Sequence, residues 1–441
     1  MSNNIAILGA GVSGIGAAIL ASNKNYNVFV SDSNSIDKKN KKVLDNHNIA
    51  WEENGHDLAK ILSSDLIIKS PGIPDHIDLI QKIIEKEISI ISEIEFASRF
   101  TQAKIVAITG TNGKTTTTLL IHKILNDAGY NVLLAGNIGL SFAAEISSND
   151  YDFIVLEVSS FQLDNIVEFR PSISIILNIS EDHLDRYKNN FSNYVYSKLQ
   201  ITKNQTKKDF LIYNYDDTSL SDLKTNAKKI PISLKHKLNG DSGLYTNNKI
   251  NINLNNKTMT IEKLALKGTH NIFNSMAAAM AARVFEVSDD VIRKSLIDFE
   301  NIEHRLEYVL TVHGIDFIND SKATNVNAAW YAIESMNKPF VWILGGIDKG
   351  NDYSALIKVA KEKNIKAIIC LGENNEKIIN AFKNDVDIIQ QAADMQEAVN
   401  QSYNLAAGGD AVLLSPACAS FDLYENFEHR GSEFKKMVRA L

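Results

Sequence analysis

The chain has 441 residues, 44% hydrophobic and 22% charged, a balance that excludes disordered and fibrous classes and a length that exceeds one ordinary core. A formal net charge of -7 argues against nucleic acid as a partner, because phosphate binding needs clustered cations. Two cysteines, Cys370 and Cys418, provide neither a disulfide framework nor metal-ligand spacing and fit a reducing cytoplasm.

From residue 1 to 92 short apolar runs alternate with polar, helix-length segments: IAILGA, NVFVSD, LIIKSPG and ISIIS. That alternation predicts βα units around a mostly parallel sheet. The apolar run from Ile5 to Ala21 is broken by four glycines and preceded by no Lys or Arg, so it does not read as an export signal. From 93 to 297 the pattern restarts with VAITG, NVLLAGN, FIVLEVSS and ISIILNIS, then passes strand-rich FLIYN, IPISL and ININL before a helix near 271 to 285. From 298 to 441 a third alternation has IDFINDS, FVWILGG, KAIICLG and AVLLSPA as strands. Three α/β domains, 1–92, 93–297 and 298–441, are the economical reading, with no uninterrupted apolar stretch long enough to cross a bilayer. The chain is therefore expected to be cytoplasmic, without membrane insertion, and a monomer is the working expectation.

Two stretches carry nucleotide chemistry. Gly9, Gly11 and Gly14 form G-x-G-x-x-G between a strand and a helix, and Asp32 ends the next strand, where an acid would meet a ribose. Alone this fits a dinucleotide oxidoreductase as well as any enzyme that cradles a diphosphate. The second stretch, TGTNGKTTTT at 109 to 118, has glycines that let backbone N–H groups face phosphate at a helix start. Lys114 would reach the terminal phosphates and Thr115 would put its hydroxyl on Mg²⁺. The position that a Walker A loop fills with its first glycine holds Ile108.

The loop TGTNGKTTT resembles that of the Mur ligases, the ATP-dependent enzymes that build the peptide of peptidoglycan. Further matches are SPGIP at 70 to 74, GNIG at 136 to 139, EVSSFQLD at 157 to 164, EDHLDRY at 181 to 187 and SKLQI at 197 to 201. GTHNIFN at 268 to 274, EHR at 303 to 305 and DSKATN at 320 to 325 continue the series. SPACASFD at 415 to 422 and NFEHRG at 426 to 431 are similar to the branch that adds D-glutamate. The resemblance implies a Rossmann-like first domain, a central P-loop ATPase-like domain and a Rossmann-like third domain. It also reconciles the two signatures: the first domain would hold the UDP part of a UDP-linked muramoyl substrate and the second ATP.

Residue by residue, the resemblance implies Ser13, Asp32, Ser33, Ser70 and Gly72 around uridine and diphosphate, with Asn137 on the acceptor substrate. ATP would meet Gly110, Asn112, Gly113, Lys114, Thr115 and Thr116, then His270, Asn271, Arg305 and Asp320. Thr115, Glu157, His183 and Lys198 would serve two Mg²⁺ ions, with Lys114, His183 and Lys198 closest to the chemistry. Lys198 stands where the family carries a carbamylated lysine, a modification that turns a cation into an anion. D-glutamate would be gripped by Lys322, Thr324, Lys349, Ser420 and Phe427. Cys418 is expected only to pack.

Overall fold

The computed structural model describes residues 4–138, 140–266, 268–299, 303–348 and 350–441, and within them the chain forms three sheets. Lys349 lies outside the described residues. One compact unit comprises Met1–Leu264 and Asn271–Asp298 and carries the first two sheets; the other comprises Ala265–His270 and Phe299–Leu441 and carries the third. Sheet by sheet, the α/β reading is borne out.

The first sheet is parallel throughout, in the order Ala50–Glu52, Asn27–Ser31, Asn4–Leu8, Leu66–Lys69, Ser89–Ile91. Both its faces are covered, so its central strand is nearly continuously apolar: Ile5 and Ile7 pack on one side, Ala6 and Leu8 on the other. The chain order reverses between Asn4–Leu8 and Leu66–Lys69, and at such a switch point the loops leaving the strand ends splay into a crevice. The glycine fingerprint and SPGIP are those two loops.

The second sheet has nine strands, parallel from Val132–Gly136 through Ser242–Thr246 and closed by two antiparallel strands, Lys249–Leu254 and Lys257–Ile261. Its centre is Lys104–Thr109, flanked by Phe153–Glu157 and Ile173–Ile176. The glycine-rich loop, Glu157 and the segment from Asn178 to His183 therefore leave one sheet edge side by side. Local capping signals set the helices that leave this edge. Ser159 and Gln162 form a capping box directly after Glu157, and the Asn190 side chain accepts from Ser192 N to start the helix Phe191–Leu199 that carries Lys198. The Ala-rich helix expected near 271 to 285 spans Thr269–Val284, and Met276 through Ala282 are fully buried.

In the second unit an antiparallel edge strand, Glu307–Val312, precedes a parallel set ordered Ile315–Asn319, Ala411–Leu414, Phe340–Leu344, Ile365–Leu371, Ile389–Ala392. Asp320, Ser415 and Gly345 follow the ends of its three central strands. Asn426 caps the last helix, Phe427–Arg439, by accepting from His429 N.

Candidate functional site

The glycine-rich loop needs its glycines. Gly110 and Gly113 have φ of 149° and 86°, and a Cβ on Gly113 would stand 2.4 Å from Asn274 Oδ1. Asn178 braces the loop from the neighbouring strand end: its Oδ1 accepts from Asn112 N at 2.9 Å and its Nδ2 donates to Asn112 O at 2.9 Å. Lys114 Nζ curls back to donate to Gly110 O and Thr111 O at 2.8 and 2.7 Å. Thr116 Oγ1, like Thr109 Oγ1 and Thr117 Oγ1, is buried and meets no protein partner.

Thr115 Oγ1 donates to Glu157 Oε2 at 2.7 Å, and Asn137 Nδ2 donates to the other oxygen of the same carboxylate at 2.8 Å. A hydroxyl and a carboxylate converging above a phosphate cradle suit Mg²⁺, which takes few protein oxygens and completes its octahedron with water and phosphate. Among the described residues no group of three or more His, Cys, Asp or Glu forms a ready metal cage. Lys198 is buried, its Nζ donating to Gly110 O at 2.8 Å and lying 4.6 Å from the Tyr194 ring centre. Burial, then the Lys114 charge, holds its ammonium well below the ordinary lysine range. A charged ammonium does not fit beside a divalent cation; a neutral amine, or an anion made from one, does. His183 sits at φ 52° at the start of the turn Leu184–Tyr187, its ring edge-on to Phe161 at 5.1 Å.

In the crevice of the first sheet Asp32 is engaged by the backbone: Oδ2 accepts from Ala10 N at 2.8 Å and Oδ1 from Asn34 N at 2.9 Å. It thereby ties the glycine turn to its own loop. Ser70 presses on that turn, since a Cβ on Gly9 would come within 2.7 Å of Ser70 Oγ. Ser13 is partly exposed, whereas Ser33 and Gly72 are exposed.

The second unit has its own cleft, lined by His270, Arg305, Asp320, Lys322 and Tyr331 among others. Burial pushes the Asp320 carboxyl up to about 7 against the pull of Arg305, while Ser415 Oγ donates to it at 2.8 Å. Burial and the Arg305 charge push His270 down to about 3, so its imidazole is neutral at pH 7. Lys322 Nζ lies 4.9 Å from the Phe427 ring centre, Thr324 is partly exposed and Ser420 is buried. In the first unit, Asn271 Oδ1 accepts from Asn274 Nδ2 at 3.3 Å.

Four side chains with evident structural duties here were not singled out from the sequence. Besides Asn178, Arg186 donates to three carbonyls of SPGIP, and Tyr194 meets Thr111 Oγ1 at 3.2 Å. Arg430, fully buried, donates to Ser321 O at 2.9 Å and Cys418 O at 3.2 Å, tying DSKATN to SPACASFD. The only sequence signal for Arg430 was its place inside the motif NFEHRG, which does not disclose its burial. Cys418 packs as expected, its thiol pushed up to about 11 by burial.

Comparison with known proteins accounts for most of the chain. Residues 4–79 match the MurD N-terminal domain, 108–282 the Mur ligase middle domain and 304–418 the Mur ligase glutamate ligase domain. The UDP-N-acetylmuramoylalanine–D-glutamate ligase of Christiangramia forsetii is 49% identical over the full length of both chains. Those of Bacteroides fragilis and Porphyromonas gingivalis are 48% and 46% identical over 99% of each chain. Among solved structures, a pseudomurein peptide ligase type C from Methanothermus fervidus has a TM-score of 0.62 at 20% identity over 99% of both chains. A MurF ligase from Thermotoga maritima, solved with ADP, has a TM-score of 0.61 at 14% identity over 94% of this chain and 95% of its own. These last two likenesses speak to the fold.

Proposed function

The chain belongs to the Mur ligase family, and on that premise we propose that it joins UDP-N-acetylmuramoyl-L-alanine to D-glutamate at the expense of ATP. The observation that carries this reading is the shared edge of the second sheet, where a glycine-rich loop, the Thr115–Glu157 pair and the buried Lys198 converge. A hydride-transferring enzyme would have no use for that loop, although it would explain the glycine fingerprint.

A carboxylate does not condense with an amine at neutral pH, because oxide is a hopeless leaving group. Transfer of the γ-phosphoryl group of ATP to the muramoyl-alanine carboxylate gives an acyl phosphate and ADP. The D-glutamate amine attacks its carbonyl, the tetrahedral adduct expels phosphate, and the amine's proton is lost to leave the amide. The protein chiefly orients and neutralises like-charged groups. Mg²⁺ would supply charge neutralisation between the phosphates, held by Thr115 and Glu157, with His183 and a carbamylated Lys198 at a second ion. Lys114 would leave the carbonyls of its own loop for the nucleotide. Gly110, Asn112, Gly113 and Thr116 would cradle phosphate; His270, Asn271, Arg305 and Asp320 would take adenine, ribose and phosphate.

In this reading Ser13, Asp32, Ser33, Ser70 and Gly72 surround the UDP group and Asn137 meets the acceptor. Lys322, Thr324, Lys349, Ser420 and Phe427 take the D-glutamate carboxylates. The domain limits 1–92, 93–297 and 298–441, action as a monomer and a cytoplasmic setting complete it. No helix is long and apolar enough to cross a membrane among the described residues.

The test is phosphate release from ATP and Mg²⁺ with UDP-N-acetylmuramoyl-L-alanine, comparing D-glutamate with L-glutamate, L-alanine and no amino acid. Release confined to D-glutamate, with a UDP-linked product of matching mass, is expected. Equal release with every amino acid, or none with D-glutamate, sinks the assignment.

A further inference from the structure

The turn of SPGIP is closed locally, Ile73 N donating to Ser70 O at 3.1 Å with Pro71 at the position a β-turn favours for it. Its carbonyls are not left to water. Arg186, from the second-sheet segment EDHLDRY, donates through Nη2 to Pro71 O at 2.9 Å and Ile73 O at 2.8 Å, and through Nη1 to Gly72 O at 3.1 Å. Three successive carbonyls converge on one guanidinium, whose planar fork of donors suits them where a single ammonium would not. From the other side the buried Lys69 Nζ donates to Ile73 O at 3.1 Å and pairs with Asp75.

Arg186 is also held within its own domain. Its backbone N donates to His183 O at 3.0 Å, and its guanidinium carbon lies 4.7 Å from the centre of the Phe161 ring. Phe161 in turn meets the His183 ring edge-on and stacks on Tyr187. One side chain therefore joins the first-sheet loop that abuts Gly9, the segment after Glu157 and the turn after His183.

Resting on the ligase reading, we propose that Arg186 is a positioning residue, holding the turn Ser70–Ile73 in the shape that accepts the UDP-linked substrate and registering it against His183. The substrate crevice and the phosphoryl site are then one rigid arrangement, not two sites on separately moving domains. Arg186 touches no reacting atom in this account. Its loss lets the turn relax toward solvent, leaving Pro71 O and Gly72 O without their Arg186 donor and Ile73 O with Lys69 alone, so binding of the UDP-linked substrate suffers first and turnover second. The nucleotide loop is braced independently by Asn178 and is spared.

The experiment uses full-length protein with Arg186→Met and Arg186→Lys, measuring kcat and KM for UDP-N-acetylmuramoyl-L-alanine and for ATP, alongside thermal melting. Arg186→Met is expected to raise KM for the UDP-linked substrate about tenfold and lower kcat severalfold, with KM for ATP within about twofold of wild type. Arg186→Lys, which keeps the charge but not the fork, is expected to melt like wild type and still raise KM at least about threefold. An unchanged KM for the UDP-linked substrate in a well-folded Arg186→Lys, or an equal rise in both KM values, overturns the proposal. Absence of D-glutamate-dependent turnover in wild type overturns the functional reading itself; normal wild-type turnover with indifferent variants overturns this inference alone.

Discussion

Thr115 Oγ1 and Glu157 Oε2 are 2.7 Å apart, a hydrogen bond that joins the first turn of one helix to the end of the neighbouring strand. Both groups are buried, and Glu157 is held from its other oxygen by Asn137. If this pair receives Mg²⁺, the carboxylate charge matters more than its shape. Glu157→Gln is expected to raise the Mg²⁺ concentration needed for half-maximal phosphate release by about 10–100-fold, while Thr115→Ser stays within about threefold of wild type. Chelation by EDTA abolishes release in all of them. An unaltered Mg²⁺ requirement in Glu157→Gln removes the residue from the metal.

Lys198 is the one candidate whose chemistry depends on losing a proton. Its burial, and then the Lys114 charge, disfavour the ammonium, and a neutral amine can add to CO₂, forming an N–C bond and releasing a proton. Wild-type activity is expected to fall in CO₂-depleted buffer and to return with bicarbonate, and ¹³C-labelled bicarbonate should give a carbamate resonance absent from Lys198→Ala. Lys198→Ala is expected to lose at least about 100-fold in kcat and to ignore bicarbonate. Full activity in Lys198→Ala, or wild-type activity indifferent to CO₂, rejects the carbamate.

How much of the molecule is legible from sequence depends on the range of the interactions. Strand runs such as FVWIL and FIVLE are dense in apolar residues because their sheets are covered on both faces, and the runs mark the strands. The strands Ala50–Glu52 and Ile389–Ala392 lie at sheet edges, carry partly exposed positions and show no such run. The glycine-rich loop declares itself because phosphate cradling is local. Asn178, Arg186 and Arg430 do not, since their partners lie 66, more than 100 and up to 109 positions away, and only the folded chain brings them together. Lys198 looks like any helix lysine until its burial is known; resemblance, not residue pattern, singles it out.

His270 makes a pH dependence with a definite sign. Its folded value near 3 lies below the ordinary 6.5, so between those limits the unfolded chain binds a proton that the folded chain refuses. Stability contributed by the neutral ring is complete above pH 6.5 and is lost as pH falls toward 3, at up to about 1.4 kcal/mol per pH unit. His304, also lowered by burial, adds in the same direction. Melting followed from pH 7.5 to 4.5 is expected to show a shallower fall for His270→Gln than for wild type. Parallel curves would mean that His270 is solvated in the folded chain.

The helix Glu93–Ser98 presents two buried glutamates that should respond oppositely to the same change. Glu93 Oε1 accepts from Ser141 Oγ at 2.8 Å and Ala143 N at 2.7 Å, but burial outweighs these bonds and raises its pKa. The folded chain therefore holds a proton that the unfolded chain gives up above pH 4.5, and stability is lost as pH rises from there to the folded value. Glu93→Gln cannot ionise and keeps an accepting oxygen, so it is expected to equal or exceed wild-type stability at pH 8. Glu95 Oε2 instead accepts from three successive amides, Val167, Glu168 and Phe169 N at 3.0, 2.9 and 2.7 Å, and Oε1 from Arg99 at 2.9 Å. A glutamine there must turn its NH₂ toward donors on one side or the other, which is expected to cost about 2–4 kcal/mol. Urea unfolding of the two variants at pH 8 checks this, and equal destabilisation of both would show that the two carboxylates are held alike.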